Sequence, residues 1–229
     1  MEGKNGIINA PTGSGKTFSL WLPIVIKSIS QKLRKENKLK VLWITPVRAL
    51  ANDIKLAMQS ACDELESHWR VELRTGDTDV KDREKQRKNP PQALVTTPES
   101  LQLFLASKEY NLFFEDLECI VIDEWHELLG NKRGVQIELA LSRLKAICPN
   151  MQIWGVSATI GNLDEAMQVI LGDDLELKPS KMVKADIVKQ IDIIPILPDE
   201  VEEYPWAGHL GIKLLEKIIP IIKDRKSVV

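Results

Sequence analysis

The run Ala10-Pro11-Thr12-Gly13-Ser14-Gly15-Lys16-Thr17 joins an apolar stretch to a segment with helical spacing. Those residue types in that order suit the holding of phosphate. Glycines let successive backbone N–H groups turn inward around phosphate oxygens, and the N-terminus of the following helix adds positive partial charge. Lys16 then reaches the β- and γ-phosphates of a nucleoside triphosphate such as ATP. The Thr17 hydroxyl is placed to ligate Mg2+, a hard cation that favours oxygen donors. Ala10 stands where the commonest form of the pattern has its first glycine. Further along, "CIVIDEWHELL" carries an apolar strand, Cys119 to Ile122, into Asp123 and Glu124. In phosphoryl transfer the first carboxylate helps to hold Mg2+, and the second orients or deprotonates the attacking water. Alone, the pair reads as solvated acids at a strand end. Joined to the phosphate loop, it reads as catalytic.

These groups need a scaffold that brings strand ends together. Six short apolar runs, "GIINA", "VLWITP", "VELRT", "QALVTT", "CIVID" and "IWGVSAT", recur with helical patterns between them. Apolar residues at consecutive rather than alternating positions suit strands covered by helices on both faces, which predicts a doubly wound α/β fold on a mostly parallel sheet. Gly15 to Ser30, Arg48 to Glu66, Pro98 to Ser107 and Val135 to Ile147 carry the helical spacing, with Pro23 inside the first of them. Gly76 to Pro91 is polar and charged, closes on two prolines, and reads as a surface excursion. After Gly172 the texture changes to short strand-like runs broken by Pro179, Pro195, Pro198 and Pro205. The expected division is therefore a nucleotide-binding domain over residues 1–172 and an extended linker over 173–229. His209 to Lys223 resumes helical spacing, and the closing "KSVV" reads as the start of another buried strand.

Taken together, the motifs resemble those of superfamily 2 helicases of the DExH-box type, with Asp123-Glu124-Trp125-His126 in the box position. Thr45-Pro46-Val47-Arg48-Ala49-Leu50-Ala51 looks like motif Ia, Thr97-Pro98-Glu99-Ser100-Leu101 like motif Ib, and Ser157-Ala158-Thr159 like motif III. "RTGDT" at Arg74 to Thr78 and "SATIGNL" are similar to the large-helicase-related group, particularly ligase-associated DEXH-box helicases. The resemblance covers nearly the whole chain. It implies the first RecA-like domain of an ATP-dependent DNA helicase of the repair type, with a second RecA-like domain beyond the linker and a DNA ligase or nuclease among its partners. It also implies roles. Thr45, Pro46, Arg48, Thr75, Gly76, Thr97 and Pro98 form a track for single-stranded or partly duplex DNA. Ser157, Ala158 and Thr159 couple nucleotide state to domain movement, with His126 in the same polar relay. Thr45 and Thr97 each precede a proline, so a turn-forming role stands beside the strand-gripping one. Trp125, next to an apolar strand, reads as a packing residue. Lys132, Arg133 and Gln136 read either as strand contacts or as a solvated face.

Composition narrows the class. The chain has 229 residues, 44% hydrophobic and 28% charged, with a net charge of −2, which is ordinary for a globular protein and excludes a uniformly basic nucleic-acid coat. Two local basic runs remain. Lys27 to Lys40 has six basic residues against Glu36, and Lys81 to Lys88 has five against Asp82 and Glu84. Cys62, Cys119 and Cys148 are odd in number and far apart, without disulfide or zinc-ligand spacing. No apolar segment approaches the roughly 20 residues that span a bilayer, and the first ten residues lack signal-peptide design. A cytoplasmic protein is expected. Two other readings use the same motifs: an RNA-directed motor of the same superfamily, and a nucleotide-binding interaction module without turnover.

Overall fold

Val41–Ile44, Ala93–Thr96 and Cys119–Ile122 are buried at every position, the pattern of strands covered on both faces. In the computed structural model, which describes residues 3–30, 37–108, 110–158, 161–172, 178–185, 196 and 214–224, they form the centre of a seven-stranded sheet. The strands are β1 (Asn5–Asn9), β2 (Val41–Ile44), β3 (Val71–Arg74), β4 (Ala93–Thr96), β5 (Cys119–Ile122), β6 (Gln152–Ser157) and β7 (Ser180–Lys184). Their order is β3-β4-β2-β5-β6-β1-β7, and every pair is parallel. Among the described residues the helices are α1 (Lys16–Ser30), α2 (Arg48–Glu64), α3 (Val80–Lys88), α4 (Pro98–Leu105), α5 (Tyr110–Phe114), α6 (Trp125–Leu128), α7 (Lys132–Ile147), α8 (Leu163–Leu171) and α9 (Leu215–Asp224).

The pleat divides the core. Leu42, Ile44, Ile120 and Ile122 pack with α4, α5, α7 and α8 on one face, while Val41, Trp43, Val121 and Trp154 pack with α1 and α2 on the other. Three caps end-stop the first group. Thr97 accepts from Ser100 N ahead of Pro98, Asn131 accepts from Arg133 N and Gly134 N, and Asn162 accepts from Glu165 N.

The expected α/β architecture on a parallel sheet is the one observed. Two elements differ in detail from the expectations. The polar excursion at 76–91 contains helix α3, which buries only Gln86 and so carries no apolar stripe to announce it. β7 lies beyond the expected boundary at 172, yet it pairs along its whole length with β1. One compact unit covers residues 1–187 and a second covers 188–229. In the second unit α9 is described, with Pro220 inside it, whereas Tyr204 to Lys213 and "KSVV" lie outside the described residues. Pro23 is held within a continuous α1. The three cysteines are free and buried, and among the described residues no helix is long and apolar enough to cross a membrane.

Gly6 sits where β6, β1 and β7 press together. A Cβ there would lie 2.2 Å from the Lys181 carbonyl oxygen and 2.8 Å from the Trp154 ring, so a strand has to move to admit it. Gly6→Ala is expected to lower stability by about 1–3 kcal/mol, the usual cost of overpacking. Urea unfolding with an unchanged midpoint would show that β7 is not held against β1 in this way.

Candidate nucleotide and strand site

Register decides which loops meet. Ile44 pairs with Thr96 and with Ile122, and Thr96 pairs with Arg74. The next residue in each strand direction is therefore Thr45, Thr97, Asp123 and Thr75, aligned along one sheet edge. On the other side Ile122 pairs with Gly155, and Asn9 with Ser157, which sets the phosphate loop beside the end of β6. Parallel α/β sheets bind ligands at this carboxyl edge.

In the loop, Gly13 and Gly15 adopt φ of 75° and 82°, a region that a side chain disfavours. A Cβ on Gly15 would project into open space, so its backbone is free for close approach by a ligand. Ser14 Oγ is buried without a partner. Lys16 is 8% exposed and donates from Nζ to the Ala10 carbonyl at 2.8 Å. Alongside Ala10, Ser14 and Lys16 lies a cavity of about 470 Å³ walled by Ile8, Leu20, Trp154 and Val183.

Asp123 is 4% exposed. Its Oδ1 accepts from Glu124 N at 2.9 Å and its Oδ2 from Trp43 Nε1 at 3.3 Å. Burial, and then the charge of Glu124, push its pKa up to about 6, against the opposing pull of the Trp43 hydrogen bond, the Glu124 N–H and Lys16. Glu124 takes left-handed backbone angles, φ 46° and ψ 46°, at the entry to α6. A non-glycine residue there is strained, and such strain persists where surrounding structure holds it. Glu124 Oε2 is buried, lacks a hydrogen bond and lies 3.3 Å from His126 Nδ1, which is itself 2.9 Å from Ser157 Oγ. Glu124, His126 and Ser157 thus form one chain of contacts. Ala158 joins it through its carbonyl, which accepts from Asn9 Nδ2 at 3.4 Å, so β1 is tied to the same element. Thr159 lies outside the described residues.

The expected strand track is brought together, but most of it lies below the surface. Thr45, Pro46, Thr75, Thr97 and Pro98 are buried, while Arg48 and Gly76 are exposed. Thr97 caps α4, and Thr75 shapes its own turn by accepting from Asp77 N at 3.3 Å. The Thr45 hydroxyl has no partner. Arg48 spans to Asp77 at 3.1 Å, and Arg133 donates to the Pro46 carbonyl at 3.4 Å while pairing with Glu99 at 2.7 Å. Arg133 therefore clamps two of the loops. Trp125 is fully buried and its Nε1 donates to the Ala166 carbonyl at 3.1 Å, in keeping with packing. Trp43 and Asn9 carry no functional signal in the sequence, because each sits inside an apolar run or at a strand end where only its neighbours across the sheet give it a polar task, and Arg74 shows there only as the first residue of "RTGDT".

The model of the DEAD/DEAH box helicase family matches residues 1–166. The chain belongs to that family. Among curated DEAD/DEAH relatives, it is 34% identical to the ATP-dependent helicase Lhr-Core of Methanocaldococcus jannaschii, over 99% of this chain and 28% of that protein. It is 31% identical to the Lhr helicase/uracil glycosylase of Escherichia coli, over 85% of this chain and 14% of that protein. Among solved structures, the Mycobacterium smegmatis helicase Lhr bound to ssDNA and AMP-PNP matches with a TM-score of 0.74 at 27% identity, over 99% of this chain and 29% of that one. The chain thus spans less than a third of the length of these relatives.

The buried Asp123 of this DEAD/DEAH domain makes stability depend on pH. Between the ordinary 3.8 and about 6 the folded state holds more protons than the unfolded state, so stability falls as pH rises through that window, and the full cost is carried above it. In EDTA, the parent is expected to lose about 1–3 kcal/mol of stability relative to Asp123→Asn between pH 4 and pH 7.5, a difference that is independent of the constant cost of the one hydrogen bond, from Trp43 Nε1 or Glu124 N, that the amide nitrogen cannot accept. Parallel pH profiles of the two proteins in denaturant unfolding would overturn the assignment.

Proposed function

We propose that this chain is the ATP-binding RecA-like domain of an ATP-dependent helicase or translocase that acts on DNA. The observation that supports it best is the Glu124–His126–Ser157 contact chain, set beside Asp123 and the phosphate loop on one sheet edge. In this reading Ala10 to Thr17 cradles the triphosphate: backbone N–H groups face its oxygens, Lys16 turns from the Ala10 carbonyl to the β- and γ-phosphates, and Ser14 gains the partner that its hydroxyl lacks. The Thr17 hydroxyl and the Asp123 carboxylate are hard oxygen donors that fit Mg2+, which takes one or two carboxylates and keeps waters and phosphate oxygens as its remaining ligands. When bound, the cation offsets charge on the phosphates. Glu124 orients the attacking water and accepts its proton on the free Oε2. His126 passes the charge state of Glu124 to Ser157, and so to the coupling element at 157–159.

Nucleotide can drive strand movement only if it binds the open and closed arrangements of the motor with different affinities. That requires a second RecA-like domain. The approach to it is read here as beginning after Ile187, later than the boundary at 172 expected from sequence, because β7 belongs to the first sheet. DNA is favoured as the track by the ssDNA-bound Mycobacterium smegmatis structure and by the helicase MrfA bound to DNA, with a TM-score of 0.67 at 30% identity. An RNA-directed reading draws support from the DEAD-box helicase Mss116 bound to ssRNA, with a TM-score of 0.69 at 25% identity. Strand-stimulated hydrolysis by a chain that includes the second domain, compared on single-stranded DNA and RNA of one sequence, separates the two readings.

Lys16→Ala is expected to weaken Mg-ATP binding at least tenfold, since it removes a charged hydrogen-bond donor to phosphate. Titration calorimetry giving the parent affinity would sink the phosphate-loop reading. In the two-domain form, Glu124→Gln should keep nucleotide affinity and lose about 10²–10⁴ in turnover, the usual contribution of a general base. Single-turnover hydrolysis at the parent rate would remove Glu124 from that role.

A further inference from the structure

The basic run at 81–88 has a role that the nucleotide site does not absorb. It forms α3, which lies beside the end of β3 and the start of α4, and together they enclose a cavity of about 270 Å³. Arg74, Arg83, Arg87, Thr75 and Ser100 supply its polar wall, and Glu84 is the only acid among the lining residues. Arg74 is 6% exposed, its guanidinium lies 3.8 Å from the centre of the Phe104 ring, and its Nη1 is buried with no partner. Arg83 Nη2 donates to the Thr75 and Gly76 carbonyls at 3.1 and 2.8 Å, while its Nε is buried without a partner. Among the described residues no carboxylate pairs with any of the three arginines.

Three guanidiniums that share a cavity repel one another, and a buried charge without a counterion is costly. Burial and the charges of Arg87 and Arg83 lower the Arg74 pKa to about 10. An oxyanion placed among the three arginines that line the cavity would relieve that repulsion. Guanidinium forks match phosphate oxygens well. The rim adds apolar surface, since Val80 is 70% and Leu103 is 68% exposed, and a sugar or base can pack there. The wall is also continuous with the strand face, because Thr75 lines the cavity and Gly76 is next to it in the exposed loop.

From this we infer that the α3–α4 cavity is an oxyanion pocket that takes one phosphodiester of the bound nucleic-acid strand, to the side of the loop tips. The inference rests on the strand-binding reading above. The pocket recognises phosphate and not base identity, so it contributes grip without sequence preference. Arg87, exposed and unpaired, closes over the phosphate, whereas Arg74 and Arg83 form its fixed floor.

The test uses the 229-residue chain carrying Lys16→Ala, so that the phosphate loop is silent. Inorganic phosphate should shift the Arg74 and Arg83 Nε–H resonances in this background, and adding Arg87→Gln should abolish the shift. In fluorescence anisotropy with labelled single-stranded DNA across a salt series, Arg87→Gln should weaken binding about tenfold on every sequence and reduce the slope of log K against log salt by about 0.7. Lys81→Gln, on the same helix but outside the cavity, should leave most of both. Equal effects of the two variants would reduce the pocket to general helix charge and overturn it. Phosphate shifts with unaltered strand binding would make it a free-oxyanion site only. Tighter Arg87-dependent binding of an oligo-aspartate peptide than of the strand would assign it to a protein partner. If the parent binds no strand at low salt, the strand-binding reading fails as well, whereas intact binding with an unchanged slope in Arg87→Gln removes the pocket alone.

Discussion

Main-chain pairing in the parallel ladder controls everything else in this domain. Ile44, Thr96, Ile122 and Arg74 are held level across β2, β4, β5 and β3, so the residues that follow them emerge along one line. A slip of one residue in β5 would turn Ile122 to the wrong face and carry Asp123 away from Trp43, its buried donor across the sheet. The core enforces the register by alternation, with Leu42 and Ile44 on one face and Val41 and Trp43 on the other. The geometry of the candidate site is thus secured by apolar packing some distance from it.

That shared edge carries two electrostatic environments of opposite sign. Near β5 and β1, a carboxylate is buried beside a second acid and a lysine, and desolvation favours its neutral form. At the β3 end a guanidinium is buried beside two others, and the same desolvation acts against its charge. From β3 to β5, whose end carries the carboxylate, is three strand steps, roughly 14 Å at the spacing of paired strands. Each environment is unfavourable alone and becomes favourable when its counter-charge arrives: a cation at the carboxylate, an anion at the guanidiniums. Both are of use in the proposed function, in which the domain holds a metal-bound nucleotide and a polyanionic strand together.

Between them lie groups suited to report from one to the other. Glu124 is held in a strained backbone conformation, its Oε2 lies against His126, and His126 also reaches Ser157 at the end of β6. Arg133 joins the loops after β2 and β4 through Pro46 and Glu99. A shift of α6 and α7 therefore bears on both the acid pair and the strand loops.

Much of this was open to reading in the chain itself. Short apolar runs announced β1 to β6, most plainly β2, β4 and β5, because a strand covered on both faces has no polar side to show, and the phosphate loop was legible because glycine, lysine and threonine meet chemical demands that are local. Where local pattern was weak, reading failed. α3 buries a single glutamine and has no stripe, and β7 is mostly exposed and flanked by proline-rich sequence, so its place depends on the unpaired edge that β1 offers. Only the tertiary structure decided that the threonines of the expected strand track lie under the surface, that Trp43 reaches Asp123, and that Arg74, Arg83 and Arg87 share one cavity. Those are contacts between residues brought level by sheet register or stacked by helix packing. Their free energies come from burial and charge in three dimensions, quantities that spacing along the chain does not encode.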